Sequence, residues 1–178
     1  MTSTFFYISH VIYSFSVTAQ RRPASQEVPY RYMSDQVAIS NLIYEYARLI
    51  DLGDFAGIGD LFQRGKIIFK DSEQITEISG SKEIKELYEK TTRRYDDGTP
   101  RTHHATTNIT LAIDGNSATS SSYYTVFQQL DDLPLQPIIT GFYEDTFLFV
   151  DNKWHFQTRE IKVSLVGEIS QHLLIPLN

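Results

Sequence analysis

The chain has 178 residues, enough for one domain with a sizeable core, and its 11 Tyr and 11 Phe suit strands and the walls of apolar pockets. The net charge of −6 argues against a nucleic-acid partner, which needs a basic surface; the acidity lies after residue 33, because the segment before it sets Arg21, Arg22 and Arg31 against Glu27. With no cysteine there can be neither disulfides nor thiolate-bound metals, and a reducing cytoplasm fits.

The chain opens on "FFYISHVIYSFSV" (5–17), apolar but too short to span a bilayer, so no membrane partner is expected. "VTAQ", around Ala19, resembles a signal-peptidase site, yet no Lys or Arg precedes the apolar run. "RRPASQEVP" reads as a linker, and Met33 followed by Ser34, a helix N-cap type, reads as a second start. Residues 1–32 are therefore expected to be an extension outside the core, with a cleaved signal as the alternative. The functional domain is expected over 33–178.

Apolar spacing predicts a helix over 34–50, with Val37, Leu42, Ile43, Tyr46, Leu49 and Ile50 on one stripe. Gly53 breaks it, and Asp54 caps a short second helix, "FAGIGDLF". "KIIFK" (66–70) is a strand. A third helix is predicted over 79–95, capped by Ser81, with Ile84, Leu87 and Tyr88 inward. After Pro100 the pattern turns to strands: 102–113, 117–130, 136–150 and 153–166, with turns at "DG" (114–115) and "DN" (151–152). The expected fold class is α+β: a curved antiparallel sheet wrapped around about three helices, a cone with a central pocket. The sheet's outer face, with Thr, Tyr and Phe on 117–130 and 136–150, suggests a homodimer or higher homo-oligomer.

Three stretches, "YARLIDLGDFAGIGDLF", "HHATTNITLAIDGNSATSSSYY" and "GFYEDTFLFVDNKWHFQTREI", together resemble the SnoaL-like branch of the nuclear transport factor 2-like superfamily over roughly residues 35–168. That branch holds scytalone dehydratase, bile-acid dehydratases, polyketide cyclases and steroid isomerases. It also holds the β subunits of ring-hydroxylating dioxygenases, which do no chemistry. The resemblance implies a SnoaL-like domain with a small-molecule pocket and leaves the reaction open.

Two groups carry the candidate chemistry. Asp51 stands where the first helix ends, where a carboxylate opposes the macrodipole; that placement suggests use, although an Asp in a "DLGD" turn is also ordinary. In dehydratase-like members an Asp here works with a histidine and a Tyr five residues earlier supports the site, a Tyr that Tyr46 matches; a plain core aromatic is the other reading of Tyr46. The second group is the pair His103 and His104, whose side chains must take opposite faces of a strand. Period-2 reading puts His103 on the more apolar face, with Ile109, Leu111 and Ile113. The family's "H-x-x-T-N" register instead selects His104, ahead of Asn108, and a bulge near Ala105 would break the parity.

A carboxylate on one imidazole nitrogen fixes the tautomer and raises the basicity of the other nitrogen. Asp51, His104 and Tyr46 are thus the expected catalytic residues, with Asn108, Ser122 and Tyr123 expected to bind substrate. The expected activity is that of a cofactor-independent lyase or isomerase on a small hydrophobic cyclic or carbonyl-bearing molecule. The alternative is a non-catalytic ligand-binding or oligomerisation module like a dioxygenase β subunit. Two departures from the family stand out. "SATSSSYY" lacks the second pocket histidine of scytalone dehydratase, and "KIIFKDS" offers Lys70, with Asp71 one residue off, where steroid isomerases keep a base. Arg159 on the last strand is expected to pair with Asp145 or Glu144. No metal motif, P-loop, G-x-S-x-G or dinucleotide fingerprint is present, so no cofactor or metal is expected.

Overall fold

The computed structural model describes residues 24–70 and 75–175, so the apolar run 5–17 lies outside the described residues. Three helices, α1 (Ala24–Asp51), α2 (Phe55–Leu61) and α3 (Ser81–Thr91), accompany six strands: β1 (Lys66–Lys70), β2 (Ile75–Ser79), β3 (Thr102–Asp114), β4 (Ser117–Gln128), β5 (Gln136–Val150) and β6 (Lys153–Val166). The strands form one sheet in the order β2-β1-β6-β5-β4-β3.

The α+β class holds, but the expected antiparallel cone does not. The sheet is mixed, since β1 pairs parallel to β6 from Lys66–Thr158 to Phe69–Ile161. It is also open: β2 and β3 are its two edges and do not curl round to meet. The physical reason lies in β2, which the sequence reading missed. Its five residues alternate poorly, and Ile75, Thr76 and Glu77 are all exposed. It turns β1 back on itself as a hairpin, which sends the chain into α3 and lets the meander β3–β6 return alongside β1 in the same direction.

The helices bury one side of the sheet. On α1 the inward stripe is Ile39, Ile43, Tyr46 and Ile50, a three- and four-residue spacing, whereas Val37 is exposed. The helix starts at Ala24, so the stretch that reads as a linker is helical from there and Ser34 is internal rather than its N-cap. On α3 the cap position is Gly80; Ser81 instead donates from Oγ to Asp60 at 2.9 Å and ties α3 to α2. Phe62 stacks on Phe156 with ring centroids 4.5 Å apart, and the Trp154 indole N–H donates to buried Asp35 at 3.0 Å. Asp151 and Asn152, both at positive φ, make the two-residue turn between β5 and β6.

Candidate active site

Helix α1 ends in a way that turns Asp51 toward the sheet. The Gly53 N–H bonds the Ile50 carbonyl at 3.0 Å and the Asp54 N–H bonds the Leu49 carbonyl at 2.9 Å, a Schellman end with Gly53 at φ +68°. A Cβ at Gly53 would overlap the Gly98 carbonyl oxygen, so only glycine lets the 93–99 loop close over this end. β3 enters directly beside it. Asp51 Oδ1 accepts from Thr102 Oγ1 at 2.9 Å and sits 2.6 Å from His104 Nδ1, while Oδ2 accepts the His104 backbone N–H at 2.8 Å.

Burial alone would raise the Asp51 carboxyl, but the bonds from His104 and Thr102 outweigh it and hold the group below its ordinary value. An ionised carboxylate can only accept, so we assign the proton on His104 to Nδ1, which leaves Nε2 as the basic nitrogen.

The parity conflict between the histidines resolves on the backbone. His104 is buried and His103 exposed. The β3–β4 register slips between Thr107 and Thr110, where Asn108 takes φ +54°. This bulge flips the alternation. His104 opposite Val126 and Leu111 opposite Ser120 therefore lie on the same inward side.

His104 lines a cavity of about 330 Å³ between the helices and the sheet. Its walls are mostly apolar, with Ile50, Leu87, Val126, Ile139 and Ile161 among them. Tyr46 also lines it, and its hydroxyl lies 2.8 Å from that of Tyr88. Tyr143 packs edge-on to Tyr46, and Tyr124 stacks on Tyr143 at 4.4 Å. Burial raises all four phenols above their ordinary range, so they stay protonated. Behind them Arg159 and Asp145, both fully desolvated, make a bidentate pair at 2.8 and 2.7 Å, with the guanidinium 4.4 Å from the centre of the Tyr46 ring and 4.1 Å from that of Tyr143.

Not every expected residue joins this wall. Asn108 is exposed at the bulge, and Tyr123 points to the outer face, where it meets Phe142 edge-on at 4.9 Å. Ser122 is buried on the inner side, but its Oγ is enclosed without a hydrogen-bond partner and does not line the cavity. The sequence reading also missed a wall residue. His172 comes from the segment after β6, which crosses to the end of α3: the Arg93 N–H bonds the His172 carbonyl at 2.8 Å and Leu173 bridges Thr92. Its ring centre is 6.5 Å from that of His104. Nothing in "SQHLLIP" announces this, because its place depends on a contact 80 residues back along the chain, a separation no local period records. Among the described residues no cluster of three or more His, Cys, Asp or Glu could hold a metal ion.

The family model for the SnoaL-like domain matches residues 31–160, and the chain belongs to that family. No curated protein matches it. Among solved structures it is similar to an NTF2-like protein with a cystatin-like fold from Novosphingobium aromaticivorans: 19% identity, 85% of this chain and 96% of that one, TM-score 0.65. It is similar to a protein of unknown function from Mycobacterium tuberculosis, at 20% identity over 81% and 79% of the two chains with TM-score 0.63. A candidate scytalone dehydratase from Novosphingobium aromaticivorans matches at 19% identity over 75% and 87%, with TM-score 0.59. At such identities the likeness speaks for the fold alone.

Proposed function

We propose that the protein is a cofactor-independent lyase or isomerase in which Asp51 and His104 act as one general acid–base pair on a small apolar, cyclic or carbonyl-bearing molecule. The observation that carries this reading is the 2.6 Å approach of Asp51 to His104 Nδ1 at the wall of a largely apolar cavity. A ligand-binding module needs no base, whereas here a half-buried carboxylate is aimed at the imidazole. His104 Nε2 takes a proton from the carbon beside a carbonyl, the C–H electron pair becomes the C=C bond of an enolate, and the carbonyl π pair moves onto the oxygen. The imidazolium then returns the proton, either to a distant carbon of the enol system (isomerisation) or to a β-hydroxyl that leaves as water (dehydration). Tyr46, Tyr88 and Tyr143 hold three hydroxyl hydrogens and join through Tyr46 by two bonds, which leaves one hydrogen to reach the substrate oxygen.

The reading also takes the protein to work as a homodimer joined through the outer sheet face, where Tyr123 and Phe142 stand together.

The test uses 2-tetralone, an enolisable bicyclic ketone of suitable size. Exchange of its α-protons in D₂O, followed by proton NMR, should be accelerated by the wild type. Asp51→Asn, which keeps shape but loses the fixed charge, should reduce the accelerated rate about 10²-fold or more. Equal rates in wild type and Asp51→Asn would leave the binding-module reading standing instead.

A further inference from the structure

His172 is a buried histidine in the cavity wall that the chemistry above does not use. Its main chain is fully engaged: the N–H donates to the Ile169 carbonyl at 2.9 Å, and its carbonyl accepts from the Arg93 N–H. Its ring is not. Nδ1 is enclosed and has no hydrogen-bond partner. An enclosed unpaired N–H costs more than an enclosed lone pair, so the ring proton belongs on Nε2. The ring is also neutral near neutrality, because burial, helped by the neighbouring His104, pushes it down to about 4 despite the opposing pull of Asp51. Nε2 is not enclosed as Nδ1 is, so of the two ring nitrogens it is the one left open to a partner beside the cavity that His172 lines.

We propose that His172 is a second polar anchor of the cavity, donating a hydrogen bond from Nε2 to the oxygen of the same ligand whose neighbouring carbon faces His104. This rests on the acid–base reading of His104. The two rings are neighbours, their centres 6.5 Å apart, and both line the cavity, so a ligand lying across them can set its oxygen at one and the adjoining α-carbon at the other. As a neutral donor His172 binds the oxygen without competing with His104 for the proton. The oxygen gains charge as the C–H bond breaks, so the contact strengthens toward the enolate. The ligand class narrows accordingly to cyclic ketones, enols or phenols with one oxygen at the His172 end and an apolar body in the remainder of the cavity.

The experiment compares 2-naphthol, a stable mimic of an enol, with naphthalene, which has the same body and no oxygen. Dissociation constants are measured on the full chain for wild type, His172→Phe, His172→Gln and Asp51→Asn. The wild type should prefer 2-naphthol by about tenfold. His172→Phe should lose about fivefold or more of that preference with naphthalene binding unchanged, which shows the cavity intact. His172→Gln, which keeps an N–H donor, should recover part of it, a recovery that a purely structural role for the ring would not give. Asp51→Asn should leave the preference largely in place. No preference in the wild type, or one that survives His172→Phe, overturns the proposal. Tetralone exchange reports separately on the base: lost exchange acceleration with a His172-dependent naphthol preference would sink the acid–base reading and keep the anchor, and the reverse pattern would do the opposite.

Discussion

A carboxylate at a helix C-terminus faces the negative end of the dipole, and Asp51 keeps its place there because three donors from the start of β3 answer it. The same strand supplies its own correction a few residues on. Asn108 carries φ +54°, a conformation that costs a β-branched residue most and glycine nothing. Asn108→Gly should unfold within about 0.5 kcal/mol of wild type, and Asn108→Val should lose about 1–2 kcal/mol, measured by urea denaturation. Tetralone exchange should be untouched by Asn108→Gly. A loss as deep as that of Asp51→Asn would mean that the exposed amide works on substrate after all. Asp51 was within reach of sequence reading because a helix stop is a local signal, whereas two-residue periodicity pointed to His103 and only the resemblance to the family's register pointed to His104. The bulge was expected near Ala105 and falls instead between Thr107 and Thr110, because two-residue periodicity assumes unbroken pairing and the one hint, the tolerance of Asn for positive φ, is weak in a polar strand.

Among the elements, the segment after β6 has the largest consequence for the least signal. It lays Leu173 against Thr92 and Leu174 against Thr91, and its Gln171 carbonyl accepts from both Tyr95 Oη and Gln128 Nε2. His172 is carried into the core by these bonds and must stay neutral there. Its folded value of about 4 lies below the ordinary 6.5, so the unfolded chain binds the extra proton first as pH falls. The stabilisation is therefore complete above about pH 6.5 and drains away toward pH 4, by about 3 kcal/mol. The groups facing the ring are His104 and Asp51, and the Asp51 carboxyl is held below its ordinary value, so its own loss falls under this window. Denaturation free energies at pH 7.5 and pH 4 should fall by that amount more in wild type than in His172→Phe. Parallel curves for the two proteins would show that the ring titrates as it does in solvent. The long strands and α3 were legible because each repeats a period over ten residues or more; β2 and the last segment are too short to repeat anything.

At the scale of the molecule, an open sheet with helices on one side leaves its other side to be explained. Class and strand order along β3–β6 follow from four long alternating runs and tight turns. The parallel docking of β1 on β6 does not, since it joins segments more than 90 residues apart through a hairpin with almost no pattern of its own. The outer face that results is not an ordinary charged surface. Tyr123, about half exposed, pairs across strands with Phe142, and Thr125, Thr140 and Thr146 extend the apolar and β-branched area. Glu144 and Glu160 stand directly opposite each other on the same face, a like-charge pairing that disfavours bringing two copies together there, with Lys162 3.7 Å and Lys70 3.9 Å from Glu160. The contact between copies should therefore centre on the Tyr123–Phe142 end, away from the carboxylates. Sedimentation equilibrium at micromolar concentration should show a dimer for wild type and a monomer for the double variant Tyr123→Asp with Phe142→Asp, with the melting temperature of the variant extrapolated to low concentration little changed. A wild type that sediments as a monomer would remove the dimer. A variant that stays dimeric would move the contact to one of the two open sheet edges, where β2 or β3 has unpaired backbone groups to offer.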